Sequence, residues 1–175
     1  MSNLFLPELL HGAEALLSDL QQRSLRLVTA ESCTGGLLAG LLTEIPGASA
    51  TLERGFVTYS NAAKTSLLGV DARLIERLGA VSEEVACAMA EGALAHAPVE
   101  IAVAVTGIAG PDGGTADKPV GLVYLAVATK GADTLARECR FGNIGRSEIR
   151  LASLREAVSL VRAALTPGAA DRTLR

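Results

Sequence analysis

Hydrophobic positions recur along this chain with two periods, one helical and one of short unbroken runs. From Pro7 to Gln22, Leu9, Leu10, Ala13, Leu16, Leu17 and Leu20 repeat at three- and four-residue spacing, which predicts a helix with one buried stripe. Leu25 to Thr29 is an apolar run of strand length. After the polar pair Glu31-Ser32 a helical pattern resumes from about Thr34 to Thr43, closed by Ile45-Pro46-Gly47. Gly55 to Tyr59, rich in β-branched and aromatic residues, predicts a second strand, and Ser60-Asn61 supplies capping side chains for a helix through Lys64 to Leu68. Asp71 caps a short helix that ends at Gly79, and Ser82 with Glu83-Glu84 opens a longer one to about Ala95. Ile101 to Thr106 is apolar throughout, as expected of a strand covered on both faces, and leads into a loop from Gly107 to Gly114. Val120 to Thr129 and Thr134 to Phe141, joined by a turn at Lys130 to Asp133, predict an antiparallel hairpin at one edge. A last amphipathic helix follows Gly145-Arg146-Ser147 and runs to about Leu165.

This order predicts an α/β fold, a three-layer α/β/α sandwich around a mixed, mostly parallel sheet. One domain is expected over residues 1–166, with a polar, frayed tail over 167–175. A chain of 175 residues with 49% hydrophobic residues is long enough to bury roughly 70% of its unfolded surface. Aromatic residues are only 3%, so small side chains must make the helix-to-sheet contacts. Open α/β sheets place ligands beyond the C-terminal ends of their parallel strands, which gathers the loops after Thr29, Tyr59 and Thr106 at one site.

Charge and composition narrow the chemistry. A net charge of −3 with mixed signs gives no basic stripe, and the absence of Trp leaves no stacking platform, so nucleic acid is not an expected partner. No apolar run reaches the ~20 residues that cross a bilayer, and no leader pattern opens the chain, so a cytoplasmic protein without membrane contact is expected. The three cysteines, Cys33, Cys87 and Cys139, are far apart and fit a reducing compartment rather than a disulfide framework. The histidines, His11 and His96, fall inside predicted helices away from the three loops. A Ser-His-Asp triad therefore lacks its base, no metal site is expected, and no cofactor is implied.

Ser32, at a strand-to-helix turn, reads either as a nucleophile or as a helix cap, because backbone N–H groups at a helix start favour an anion or a developing oxyanion. Cys33 beside it is an alternative nucleophile or a small buried thiol. Lys64, one turn into its helix, is either a solvated side chain or a general base whose pKa is lowered by burial, which would make a Ser-Lys dyad with Ser32. Tyr59 is either a strand-end packing residue or a catalytic one.

The strings Ala30-Glu31-Ser32-Cys33-Thr34-Gly35-Gly36, Val57-Thr58-Tyr59-Ser60-Asn61-Ala62-Ala63-Lys64, Gly79-Ala80-Val81-Ser82, Val105 to Gly114 and Lys118-Pro119-Val120-Gly121 together resemble the CinA C-terminal domain family of bacterial nicotinamide mononucleotide deamidases. The resemblance spans roughly Leu9 to Leu165 and looks like a stand-alone form without the larger N-terminal domain. It implies hydrolysis of the carboxamide of nicotinamide mononucleotide, a small-molecule substrate, to nicotinate mononucleotide and ammonia in pyridine nucleotide salvage. By the same resemblance Ser32 attacks, Lys64 takes its proton, and Tyr59 orients the lysine or passes a proton to ammonia. Backbone N–H groups of Cys33, Thr34, Gly35 and Gly36 are the expected oxyanion donors. Glu31, Asn61, Thr106, Gly107, Ala109 and Gly110 are expected around the substrate, and Arg146 and Arg150 at its phosphate. The segment before Arg146 carries glycine where the family more usually has aspartate. A homodimer is compatible with the apolar helices. A different class of function is a catalytically silent, nucleotide-sensing or partner-binding module linked to competence or DNA damage.

Overall fold

The computed structural model describes residues 4–166, so the predicted tail at 167–175 lies outside the described residues. Twelve elements follow one another: α1 (Pro7–Gln22), β1 (Leu27–Glu31), α2 (Leu37–Thr43), a short 3-10 turn (Ala48–Ala50), β2 (Leu52–Val57), α3 (Asn61–Leu68), α4 (Ala72–Leu78), α5 (Glu83–Ala95), β3 (Ile101–Gly107), β4 (Leu122–Thr129), β5 (Leu135–Arg140) and α6 (Arg146–Ala164). The strands form one sheet in the order β2-β1-β3-β4-β5. β1 runs parallel to both β2 and β3, and β4 and β5 complete the sheet as an antiparallel hairpin.

The two faces of the sheet are built from different residues. Leu27, Ile101, Val103, Val105, Val123, Leu125 and Val127 point towards α1, α2 and α6. Val28, Ala30, Ala102, Ala104, Ala126 and Ala128 point towards α3, α4 and α5. This period-two alternation gives three layers, with the helix-to-sheet contact on the second face made mostly by methyl groups. α5 continues the economy of volume: a Cβ at Gly92 would lie 2.0 Å from the Leu68 carbonyl oxygen at the end of α3. The two helices thus touch backbone to side-chain-free backbone.

Three boundaries differ from the pattern-based expectation, each for a physical reason. β1 begins and ends two residues later, because Glu31 is completely buried and pairs across to both neighbours as a strand residue. β2 begins at Leu52, where Glu53, Arg54 and Gly55 conceal an edge strand whose outer side is exposed. α2 begins at Leu37 rather than Thr34, because Gly35 and Gly36 both take positive φ (61° and 96°) and hold residues 32–36 in turns. Among the described residues no helix is long and apolar enough to cross a membrane.

Candidate active site

The parallel ladder of β2, β1 and β3 ends with Val57, Glu31 and Val105 side by side, so the segments that follow start from one line. Ser32 is the first residue beyond β1. Its N–H donates to the Val105 carbonyl (2.9 Å) and its carbonyl accepts the Gly35 N–H (3.0 Å). Ser32 is therefore not the helix cap: α2 has Gly36 at that position, with no side-chain cap.

The cap function falls instead to Glu31. Its carboxylate accepts the N–H groups of Gly36 (3.0 Å), Leu38 (3.0 Å) and Ala39 (2.9 Å), and the Thr29 hydroxyl (3.2 Å). A negative charge at the positive end of α2 satisfies donors that the helix leaves open. Its side chain is fully enclosed and turned into the α2 layer. Glu31→Gln presents an amide N–H to backbone donors and is expected to lower stability by about 2 kcal/mol, measured as a shift in denaturant midpoint at unchanged m-value.

Lys64 enters from the other layer. Ser60 caps α3 by accepting the Ala63 N–H (3.1 Å), which fixes the first turn and aims Lys64 at the end of β1. Its side chain is 1% exposed, and its Nζ donates to Ser32 Oγ (3.0 Å) and to the Thr58 carbonyl (2.9 Å). None of the ion pairs among the described residues includes it. Burial without a carboxylate holds its pKa below the usual 10.5, because desolvation penalises the ammonium form. The Thr58 carbonyl, the second support of the amine, was not foreseen; a main-chain acceptor has no side-chain signature.

Two of the four expected backbone donors stand open. The Gly35 and Gly36 amides are used internally, by the Ser32 carbonyl and the Glu31 carboxylate. Among the described residues the Cys33 and Thr34 amides donate to no protein acceptor. The Cys33 side chain is buried, and that burial pushes its thiol up to about 11, far from the thiolate a nucleophile needs.

The remaining predicted residues divide. Tyr59 is 62% exposed and makes no hydrogen bond to Lys64; its hydroxyl accepts from Arg146 Nη2 (3.2 Å). Arg146, at the first turn of α6, also donates to the Gly110 carbonyl (2.8 Å), so it bridges the segment after β2 to the loop after β3. Arg150, one turn further, donates to the Thr34 carbonyl (2.9 Å). Thr106 is buried with its hydroxyl donated to the Ala80 carbonyl (2.8 Å), and Gly107 is packed so closely on β4 that a Cβ would meet Val123 at 2.6 Å. Both contacts shape the start of the loop after β3. Ala109 is also buried, whereas Asn61 is exposed at the start of α3. Lys118 donates to the carbonyls of Leu78 and Val81 and thereby fastens the β3–β4 loop to the turn between α4 and α5. Neither histidine reaches this cluster; His96 Nδ1 lies 2.7 Å from the Gly92 carbonyl on its own helix. Among the described residues no group of three or more His, Cys, Asp and Glu side chains is arranged to hold a metal ion.

A buried hydroxyl, an amine with lowered pKa in direct contact, and two open amides are the parts that acyl transfer requires. Comparison with known proteins gives the chain a family. Residues 10–165 match the model of the CinA C-terminal domain. The chain belongs to the CinA C-terminal domain family.

Its CinA relatives include a CinA-like protein of Mycolicibacterium vanbaalenii, 58% identical over 143 residues, which are 81% of this chain and 33% of that protein. A CinA-like protein of Syntrophus aciditrophicus is 46% identical over 165 residues, 94% of this chain and 39% of that protein. The chain thus spans about a third of the length of these curated CinA relatives. Solved structures match over nearly their whole length. The competence/damage inducible protein CihA from Agrobacterium tumefaciens is similar at a TM-score of 0.91 and 50% identity, covering 94% of this chain and 99% of that one. A CinA superfamily protein from Escherichia coli is similar at a TM-score of 0.85 and 33% identity, covering 93% and 94%.

Proposed function

We propose that the protein is a nicotinamide-nucleotide amidase that hydrolyses nicotinamide mononucleotide to nicotinate mononucleotide and ammonia through Ser32 and Lys64. The observation that carries this reading is the 3.0 Å contact between a buried Lys64 Nζ and Ser32 Oγ, with no carboxylate to hold the lysine in its charged form. Membership of the CinA family supports the substrate, through the resemblance of the ESCTGG and TYSNAAK strings.

In this mechanism neutral Lys64 takes the Ser32 hydroxyl proton as Oγ bonds to the carboxamide carbon. The carboxamide oxygen becomes an oxyanion between the Cys33 and Thr34 N–H groups. Collapse breaks the carbon–nitrogen bond, and the Lys64 ammonium returns its proton to the leaving nitrogen, releasing ammonia. A water molecule then attacks the acyl ester as Lys64 accepts its proton; collapse breaks the bond between the acyl carbon and Oγ, the Lys64 ammonium returns the proton to Ser32 Oγ, and the acid product leaves as a carboxylate with its proton released to solvent. Arg146, exposed at the rim and already paired with neutral oxygens, is available to the 5′-phosphate.

The test is ammonia release from nicotinamide mononucleotide by the purified wild-type chain, with nicotinate mononucleotide identified as the product. Well-folded protein that releases none would overturn the amidase reading. Cys33→Ala is expected to retain most of the activity, because the thiol is protonated and its backbone N–H is kept; loss of turnover in that variant would move the nucleophile to the cysteine.

A further inference from the structure

Arg146 and Arg150 lie four residues apart on α6, yet they meet different parts of the site. Arg146 reaches outward to Gly110 and Tyr59, while Arg150 turns in behind residues 32–36. Its Nη2 donates to the Thr34 carbonyl and lies 3.6 Å from where a Cβ on Gly35 would be. Its Nε is closed to solvent and has no partner. A phosphate gripped in bidentate fashion along the Nε edge of the guanidinium would need that atom to be accessible. No ion pair among the described residues includes Arg150, so its charge is directed at a carbonyl dipole.

That dipole belongs to a linked set of peptide planes. The Thr34 carbonyl shares its plane with the Gly35 N–H, which donates to the Ser32 carbonyl at 3.0 Å. The Ser32 carbonyl shares its plane with the Cys33 N–H, one of the two open amides. Between these two fixed planes lies the peptide that carries the Thr34 N–H. At the upstream end Ser32 N–H is tied to Val105, and at the downstream end Gly36 N–H is tied to Glu31. Arg150 is the only side chain from α6 in this chain of contacts.

We propose that Arg150 is a positioning residue, holding the Cys33 and Thr34 amides at the angle an oxyanion requires through the Thr34 carbonyl, and is not a ligand of the substrate phosphate. The inference rests on the amidase reading for its kinetic consequence, though not for the contact itself.

The experiment compares kcat and KM for nicotinamide mononucleotide in wild type, Arg150→Gln, Arg150→Lys and Arg146→Gln, with thermal midpoints recorded for each. Arg150→Gln is expected to lower kcat about tenfold to a hundredfold with KM changed by no more than about twofold, since the lost interaction strengthens only as the oxyanion forms. Arg150→Lys, which keeps a donor within reach of the carbonyl, is expected to recover part of that loss; it also serves if the glutamine variant does not fold. Arg146→Gln is expected to act mainly on KM. A rise in KM at unchanged kcat for either Arg150 variant would overturn the proposal and make Arg150 a substrate ligand, and unchanged kinetics would overturn it as well. The Gly35 backbone amide resonance gives a readout independent of substrate. It is expected to shift between wild type and Arg150→Gln as the Thr34 carbonyl loses its donor, and an unmoved resonance overturns the proposed contact. Should wild type prove inactive on this nucleotide, the amidase reading fails while the Gly35 resonance still decides the placement of Arg150.

Discussion

Ser32→Ala is expected to reduce ammonia release from nicotinamide mononucleotide by a factor of about 10⁴ or more, leaving a folded protein that still binds the nucleotide. The side chain is 8% exposed and its Oγ has Lys64 Nζ as its hydrogen-bond partner, so deletion removes the attacking atom and little packing. Ser32 holds its loop through main-chain atoms, to Val105 and Gly35, and alanine keeps both bonds. Rate and affinity therefore separate. Turnover assays combined with calorimetric titration of the nucleotide check this, and substantial residual turnover would remove Ser32 from the reaction.

Lys64→Met is expected to lower kcat by a factor on the order of 10³ or more, because the hydroxyl loses the only base in contact with it. Wild-type kcat/KM should rise with pH through the folded-state pKa of Lys64, which lies below 10.5, and level off above it. The same variant carries a stability signature whose sign follows from proton counts. Between the lowered folded pKa and 10.5 the unfolded chain binds more protons at this site than the folded chain does. Wild-type stability at this site therefore gains as pH rises through that window, and the penalty for burying the ammonium is largest below it. Methionine has no such dependence. Thermal midpoints of the two proteins, measured across neutral to alkaline pH, should shift in favour of wild type as pH increases; a constant difference would mean that Lys64 titrates normally.

The sheet and its three layers were legible because they depend on patterns carried by side chains, whereas the pairing of Ser32 with Lys64 rested on the resemblance of the ESCTGG and TYSNAAK strings. Runs such as Ile101 to Thr106 announce a covered strand, and Ser60 announces a helix start whose next turn bears the lysine. What stayed hidden was main-chain bookkeeping. Whether the Gly35 and Gly36 amides are open depends on positive φ angles and on which acceptor reaches each of them first; the Ser32 carbonyl takes the Gly35 N–H and the Glu31 carboxylate the Gly36 N–H. Strand alternation turns Glu31 towards the opposite layer from Lys64, where it meets the start of α2. Arg146 and Arg150 have the same residue type and stand one turn apart at the start of α6, and only the packing of α6 against residues 32–36 separates their tasks.

The contact between α5 and α3 has a consequence for how this site is inherited. Glycine in the middle of a helix is less stable than alanine by roughly 0.5–1 kcal/mol, so position 92 invites replacement on local grounds. Even a methyl group there would drive into the Leu68 carbonyl and push α3 away from the sheet, and α3 is the arm that carries Lys64. The reach of the base is thus recorded in a residue that touches neither serine nor lysine, and selection for a more stable α5 runs against selection for an aligned amine.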